Sequence, residues 1–306
     1  MSPMASDNPL PTVEVRAPRL RRRPRGLLLD VTEPIDESAL RPSDDGTRDF
    51  SVAERIVGGV NFVGVGCSTL DTYENEWCSE VTLPDDESTC EVHEFSSFVA
   101  IDRENAPAYF HEPWIEDRIR QRFGVMTSAQ VARELQTGAL TGNPNMQDNA
   151  TEVVDDLTPV DEALFVVNEI AADLDGAEVT IHTSPGLFEL LVAEYDISQD
   201  ERTDENDPTA LPFRTATGHV LVGDAGHDGS AAPDGYTTEA GGSWLYATLP
   251  VMTWLGEVEP VGQFSARFDH ERDTLDSIFI RQAIVGFDPC WVAAVQVQVP
   301  EYAVGS

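Results

Sequence analysis

A run of regularly spaced apolar positions predicts a helix in the middle of the chain. These positions are three or four residues apart, at Ile115, Ile119, Phe123 and Met126. Such spacing places the side chains on one helical face. Pro113 suits a first helical turn, and Gly138 suits the position just after a last turn. Because Thr127 and Gln130 have the spacing of a capping box, the segment is either one helix of about 25 residues or two helices that meet there.

Two further helices are predicted downstream. The sequence Thr158-Pro159-Val160-Asp161 is a strong helix start, and Gly176 is a suitable stop. Between them lies an apolar stripe at helical spacing, made of Val160, Ala163, Leu164, Val167, Ile170, Ala171 and Leu174. A short strand over Glu178–Thr183 is then followed by the cap Ser184-Pro185 and a helix over Gly186–Tyr195.

The last third of the chain has strand patterns. Runs rich in β-branched and aromatic residues predict strands over 211–215, 219–223, 244–248, 251–258, 278–285 and 291–299. The polar segment 140–156 predicts a loop. Residues 196–208, with six acids and one arginine, predict an exposed acidic loop.

Residues 55–98 predict a long hairpin. Residues 55–66 combine β-branched residues with glycines, which favours a strand with bends. Residues 71–94 contain nine acids and no Lys or Arg, around a turn at Pro84–Ser88. Because a protruding hairpin cannot bury its own faces, we expect it to pack on another subunit.

Charge is distributed unevenly along the chain. There are 55 Asp and Glu against 19 basic residues, which are all arginines, for a net charge of -36. Residues 1–25 contain six arginines and two acids (+4), and the remainder contains 13 arginines and 53 acids (-40). Residues 1–50 are rich in Pro, Ser, Asp and Arg and lack periodicity, which predicts an extended arm. A basic arm could contact a neighbour's acidic face or nucleic acid, whereas the acidic body is unsuited to bind nucleic acid nonspecifically.

This acidity predicts a protein that works in concentrated salt. In about 1 M salt the Debye length is about 3 Å, so repulsion between the carboxylates is largely screened. The alternative is an acidic actinobacterial or phage protein encoded by a genome that avoids lysine codons. Asparagine and isoleucine are retained in the sequence, which makes codon bias the weaker explanation.

The cysteines do not predict a zinc site, because none of the four lies in a Cys-x-x-Cys pair. Cys67, Cys78 and Cys90 fall in one short stretch and could form a single disulfide outside a reducing cytoplasm; buried free thiols are the alternative. The segment 21–29 resembles a twin-arginine export signal, but its apolar part stops at Asp30, so export is not expected. No run approaches the ~20 apolar residues of a membrane span.

The sequence has no motif that predicts catalysis. It lacks a Gly-x-Ser-x-Gly elbow and a phosphate-binding glycine loop. The best metal candidates, Asp224, His227 and Asp228, lie in a glycine-rich loop that is more typical of a turn between strands, so no metal is predicted. No catalytic or cofactor-binding residue is assigned. A halophilic hydrolase or metal enzyme using His182, His227 or His270 stays open, because a catalytic constellation needs only spatial adjacency.

The order of these elements resembles that of tailed-virus major capsid proteins with the Hong Kong 97 phage-type fold, which encapsulin shells also use. Local stretches similar to capsid proteins of actinobacterial phages and archaeal tailed viruses are 25–29, 134–140, 244–248 and 288–290. The resemblance implies an α+β fold with an N-terminal arm, an E-loop hairpin, a peripheral domain with a long spine helix, and an axial domain. It places these parts at 1–50, 51–110, 111–177 and 178–270, with 271–306 returning to the peripheral domain.

The resemblance also implies a non-enzymatic structural protein that assembles into hexamers and pentamers of an icosahedral shell around a double-stranded DNA genome. The assembly candidates are then Arg19, Arg21, Arg22, Arg23, Arg25, Trp77 and Trp114. The implied partners are other copies of the chain, a scaffold, portal or decoration protein, and DNA contacted by the arm, with no membrane. No cofactor is implied, although structural cations could bridge carboxylates. The expected location is the virion, after assembly in the host cytoplasm.

Two departures from the resemblance matter. Some relatives cross-link their subunits through a Lys–Asn isopeptide bond, which a chain without lysine cannot form. Some also carry a scaffolding segment of about a hundred residues before the arm, for which this sequence has no room, so we expect a separate scaffold or none. The alternative within the same class is another virion component, such as a penton, tail-tube, baseplate or decoration protein.

Overall fold

The computed structural model describes residues 33–34, 60–63, 92–107, 112–174, 177–195, 197, 213–261, 266–269 and 274–300. The described helices are α1 (Glu112–Thr137), α2 (Val160–Ala171) and α3 (Pro185–Glu194), and a 3-10 turn (Ala172–Leu174) follows α2. The described strands are β1 (Glu33–Pro34), β2 (Val60–Val63), β3 (Val92–Phe95), β4 (Phe98–Pro107), β5 (Glu152–Thr158), β6 (Thr180–Thr183), β7 (Phe213–Arg214), β8 (Val220–Gly223), β9 (Gly242–Thr248), β10 (Met252–Leu255), β11 (Glu259–Pro260), β12 (Ala266–Asp269), β13 (Thr274–Gly286) and β14 (Val292–Gln298).

The first sheet is built around the long strand β13. It runs antiparallel to β4 over ten residue pairs, from Thr274 opposite Pro107 to Ala283 opposite Phe98. On its other side β13 pairs in succession with β10, β11 and β12, and β1 adds to β10 in parallel. Strands β2 and β3 form a separate antiparallel pair.

The second sheet has the strand order β5-β14-β9-β6-β8-β7 and is covered on one face by α2 and α3. Its central strand β9 is buried on both faces. Trp244 and Tyr246 join one core cluster, whereas the alternate residues Leu245 and Ala247 join the cluster beneath α2 and α3. This alternation follows from the two-residue repeat of a strand. The second sheet is therefore the inner layer of the molecule.

Helix α1 connects the two sheets. In its first half, Ile119 and Phe123 pack against Ala100 of β4 and Phe279 of β13. In its second half, three buried apolar side chains join the core cluster that contains Trp244 and Tyr246 of the second sheet, and they are Val131, Ala132 and Leu135. An ion pair of 2.6 Å between Arg122 and Asp102 adds a polar link to β4. One helix thus fixes the relative position of both sheets.

Most of the predicted elements are confirmed. The central apolar run forms one helix of 26 residues rather than two, and Thr127 lies inside it with its hydroxyl donating to the Phe123 carbonyl. Helix α2 begins one residue after Pro159, and α3 begins at Pro185 with the Ser184 hydroxyl accepting from the Leu187 amide. These positions are set by local chemistry, which is why the sequence predicts them well.

The prediction of a loop over 140–156 is wrong at its C-terminal end. Strand β5 begins at Glu152 and pairs in parallel with β14 at the edge of the second sheet. Its acidic residues face solvent, and Val153 and Val154 are only half-buried, so the strand has no apolar run that would predict it. Edge strands commonly carry such charges.

The predicted domain limits stay predictions, since strand pairing alone does not define a domain. Helix α2 and β14 pack within the second sheet, whereas β10, β11 and β12 pair with β13 in the first sheet. The chain therefore passes from the second sheet into the first near 250 and returns near 290.

Candidate functional site

The loop that contains the metal candidates is a joint between α1 and the second sheet. Gly226 lies so close to the helix that a Cβ atom there would come within 2.0 Å of the Ala129 carbonyl oxygen. The Gln136 amide clamps the same loop, since its Nε2 donates to the Asp228 carbonyl (2.9 Å) and its Oε1 accepts from the Asp228 amide (2.8 Å). The Ser128 hydroxyl donates to Asp224 Oδ2 at 2.5 Å.

The carboxylates of the metal candidates accept hydrogen bonds that hold the loop in place. Asp224 is buried, and besides Ser128 it accepts from the Gly226 amide. Asp228 is exposed and accepts from both the amide and the hydroxyl of Ser230, which closes a turn. Among the described residues, no three His, Cys, Asp or Glu side chains converge in a way that could hold a metal ion.

Behind this joint lies a buried pair of histidines. His182 on β6 and His227 after β8 are in edge-to-face contact, with ring centroids 5.1 Å apart. The Thr248 hydroxyl donates to the Leu249 carbonyl, so its oxygen is left to accept from His182 Nε2 at 2.9 Å. The nitrogens His182 Nδ1, His227 Nδ1 and His227 Nε2 have no hydrogen-bond partner among the described residues.

Burial keeps both histidines neutral. It lowers the pKa of His182 well below its usual value, and His227 beside it lowers that pKa further. Burial also lowers the pKa of His227 to about 4, although the Asp224 carboxylate acts in the opposite direction. The pair is enclosed by core, so it has the character of a packing element and not of an exposed nucleophile and base.

A second polar joint holds the root of the hairpin β2–β3, and no sequence pattern indicates it. The chain passes from β3 to β4 at Ser96. The Ser96 amide donates to Asn143 Oδ1 (2.8 Å), and Asn143 Nδ2 donates to the Ser96 carbonyl (2.9 Å). Beside it, Phe95 and Phe287 are in edge-to-face contact at 6.1 Å, and His93 Nε2 lies 3.5 Å from Cys290 Sγ. These partners are far apart in sequence, so local reasoning misses them.

The predicted assembly residues are only in part within the described structure. Trp114 lies in the first turn of α1. The predictions that fall on Arg19, Arg21, Arg22, Arg23, Arg25, Trp77, Cys67, Cys78, Cys90 and His270 lie outside the described residues. Cys290 is disulfide-bonded, and its partner cysteine also lies outside the described residues.

Among the large apolar side chains exposed on the described surface, some lie on β4 and another lies on α2. On β4, which lies along β13, Ile101 is 67% exposed and Val99 is 44% exposed, while the alternate residue Ala100 faces α1. On α2, Phe165 is 63% exposed at the rim of a cleft of about 430 Å³ beside Tyr195 and Arg214. None of the described helices is both long and apolar enough to cross a membrane.

Comparison with known proteins identifies the fold. No protein-family model matches the chain, and no curated protein sequence matches it. Among solved structures, a chain of Gordonia phage Cozz matches with a TM-score of 0.51 and 12% identity, over 95% of this chain and 91% of that one. A chain from the capsid of Ralstonia phage GP4 matches with a TM-score of 0.51 and 9% identity, over 98% of this chain and 99% of that one.

These matches span almost the full length of each partner. The chain has the α+β fold of tailed-phage capsid structures, the Hong Kong 97 type, as the sequence resemblance predicts. With identities of 12% and 9%, the likeness concerns the fold, and the chemistry of the surface has to be argued from this chain's own residues.

Proposed function

We propose that this chain is the major capsid protein of a tailed virus, a non-enzymatic subunit that assembles into a closed shell around double-stranded DNA. The observation that carries the proposal is the likeness to the Ralstonia phage GP4 capsid chain, which extends over nearly all of both chains. A likeness of that extent leaves little of this chain outside the capsid fold, which favours a protein whose whole length serves the shell.

The described surface supports self-association. Val99 and Ile101 are two residues apart on β4 and expose their apolar side chains on the same face, and contiguous exposed apolar surface marks contacts between proteins. By strand register, Ile101 lies opposite Ile280 on β13, and Val99 lies opposite Gln282. We call this surface, Val99 and Ile101 with Ile280, the outer face of the first sheet. In our proposal it is a contact between subunits.

The charge distribution fits a shell that forms in concentrated salt. A net charge of -36 on every copy opposes assembly at low ionic strength. Salt at about 1 M shortens the Debye length to about 3 Å and allows such subunits to touch. The arm of +4 would then contact a neighbour or the packaged DNA, and cations could bridge carboxylates between subunits.

The finer features of the proposal come from the resemblance. Hexamers and pentamers would form the faces and vertices of the shell, with a scaffold, portal or decoration protein as further partners. The mature chain would reside in the virion after assembly in the host cytoplasm. Since the sequence has no lysine, shell stability would rest on noncovalent burial, disulfide bonds or bridging ions.

Sedimentation of the purified chain tests the proposal. In about 2–3 M NaCl, where repulsion is screened, we expect particles far larger than the 33.5 kDa subunit. Transfer to about 0.1 M NaCl lengthens the Debye length to about 10 Å, so the particles should loosen or dissociate. A stable monomer at high salt contradicts the capsid function. Particles that are unchanged at low salt without divalent cations contradict the adaptation to salt while leaving the capsid function in place.

A further inference from the structure

The hairpin β2–β3 leaves the first sheet at a single turn. Strand β3 pairs with β2, whereas the next strand, β4, pairs with β13 of the first sheet. The two strands are joined by Ser96 and Ser97, which belong to neither ladder. At this turn the main chain loses the strand neighbours that would otherwise fix its course.

The side chain of Asn143 takes the place of a neighbouring strand. Its amide accepts from the Ser96 N–H and donates to the Ser96 carbonyl, at 2.8 and 2.9 Å. This is the pair of hydrogen bonds that one residue of a ladder exchanges with its partner. Asn143 is only 6% exposed, so water does not readily satisfy its side-chain amide in place of Ser96, which itself lies at the surface.

Asn143 is itself held firmly at the end of α1. The loop leaves the helix at Gly138, which has a φ of 57° and where a Cβ atom would come within 2.6 Å of the Asn143 carbonyl oxygen. The Glu134 carboxylate accepts from the amides of Leu140 and Thr141. The Thr141 hydroxyl then accepts from the Asn143 amide at 3.1 Å. The hairpin root is thus tied to the last turn of α1 through a chain of hydrogen bonds.

We propose that Asn143 is a positioning residue that fixes the angle at which the hairpin β2–β3 leaves the first sheet, and thereby sets the geometry of contacts between subunits. The inference rests on the proposed function in that the hairpin contacts a neighbouring subunit. Val92 lies four residues from Ser96, about 13 Å along an extended strand, so a tilt of about 10° at the root displaces it by about 2 Å. A displacement of that size is enough to spoil a packed interface.

The test compares Asn143→Ala with the matched control Asn145→Ala. Asn145 lies in the same loop and is 4% exposed, but its side chain bonds mainly to Asp148, through Nδ2 to Oδ2 (2.8 Å) and through Oδ1 to the Asp148 amide (3.0 Å). Its Nδ2 also makes a longer bond of 3.4 Å to the Asn143 carbonyl, and none of its bonds reaches Ser96. Both variants lose buried amide bonds of the loop, and only the first loses the bonds to Ser96. Asn143→Asp keeps an acceptor for the Ser96 amide and loses the donor, so its effect should be intermediate.

Two measurements decide the inference. The first is amide hydrogen exchange of the intact chain in about 2–3 M NaCl, where Asn143→Ala should speed exchange of Ser96 and β3 at least about tenfold and Asn145→Ala should not. The second is the distribution of particle diameters by electron microscopy. Asn143→Ala should give particles of mixed diameter or curvature, while wild type and Asn145→Ala should give one diameter.

The outcomes separate the inference from the proposed function. If exchange at Ser96 and β3 is the same in both alanine variants, or if Asn143→Ala forms particles as uniform as those of the control, the positioning role is overturned. If the wild type forms no particles at all, the capsid function is overturned. The exchange comparison then still decides whether Asn143 fixes the hairpin root.

Discussion

The backbone of Gly226 lies directly against Ala129 of α1, and no side chain fits between them. A Cβ atom at Gly226 would come within 2.0 Å of the Ala129 carbonyl oxygen and 2.8 Å of the Ala132 Cβ. Both neighbours belong to a helix whose position is fixed by two core clusters, so neither can retreat at little cost. The joint between α1 and the second sheet therefore requires glycine at this position.

Replacement of Gly226 by alanine should lower the free energy of unfolding by about 3 kcal/mol, the upper range for overpacking of a rigid core. Gly124→Ala is the matched control. Gly124 lies in α1, the helix that Gly226 packs against, and a Cβ atom there would have no neighbouring atom within 4 Å. That change should raise stability by about 0.5–1 kcal/mol. Denaturant titrations in high salt measure both, and equal stabilities for the two variants would contradict the close contact.

The buried histidines should make stability fall with acid. The folded pKa of His227 is about 4, below the value near 6.5 of an exposed histidine, so the unfolded chain binds the extra proton between these pH values. Stability contributed by the neutral ring is fully present above about pH 6.5 and decreases as the pH falls toward 4, by up to about 1.4 kcal/mol per pH unit. His182, whose pKa is also lowered, adds to the slope.

His227→Phe separates this effect from general acid denaturation. Neither ring nitrogen of His227 has a hydrogen-bond partner among the described residues, so an aromatic ring of similar shape should be tolerated at pH 8. Between pH 7 and pH 5 the variant should lose less stability than the wild type in the same denaturant titration. A variant with the same pH slope as the wild type would indicate that the pair does not titrate as described.

The Cys290 disulfide should contribute measurably to stability. It lies in the turn between β13 and β14, next to His93 of the hairpin root. Reduction should lower the free energy of unfolding by about 2–4 kcal/mol, whereas the variant Cys290→Ser should not respond to a reductant. Peptide mass spectrometry without reduction would show whether Cys67, Cys78 or Cys90 is the partner. Four free thiols in oxidised protein would contradict the bond.

A charged side chain on the outer face of the first sheet should weaken assembly, because the proposed interface would bury it. Ile101→Glu should leave the subunit folded, because the side chain is largely exposed in the single chain, and raise the protein concentration needed for assembly at least about tenfold. Leu140→Glu is the control: Leu140 is 65% exposed and the change adds the same charge at the turn after α1. Light scattering against protein concentration compares them. Equal assembly of Ile101→Glu and the wild type would remove this face from the proposed interface.

The sequence predicts the elements whose ends are set locally. Helix α1 ends at Thr137, just before Gly138, and α3 begins just after its cap Ser184. Both ends lie where the sequence predicts them, because the residues that set them are adjacent in the chain. Strand β5 escapes prediction because its partner β14 lies far away in sequence and only half of its pattern is apolar.

The polar joints could not be predicted, for the same physical reason. Ser96 and Asn143 are separated by 47 positions, and each is an ordinary polar residue until the fold brings them together. The loop with Asp224 and His227 is distinctive in sequence. The need for glycine at 226 nevertheless becomes visible only when the fold places it against Ala129 of α1. Sequence patterns describe one helix or strand at a time, whereas these contacts connect residues from distant parts of the chain.

Electron microscopy of the purified chain in about 2–3 M NaCl tests the central claim most directly, since at that ionic strength charge repulsion no longer prevents association. The capsid function predicts closed particles of uniform size whose averaged images resolve five-fold and six-fold clusters of this one subunit. A field of separate 33.5 kDa subunits under these conditions would contradict it.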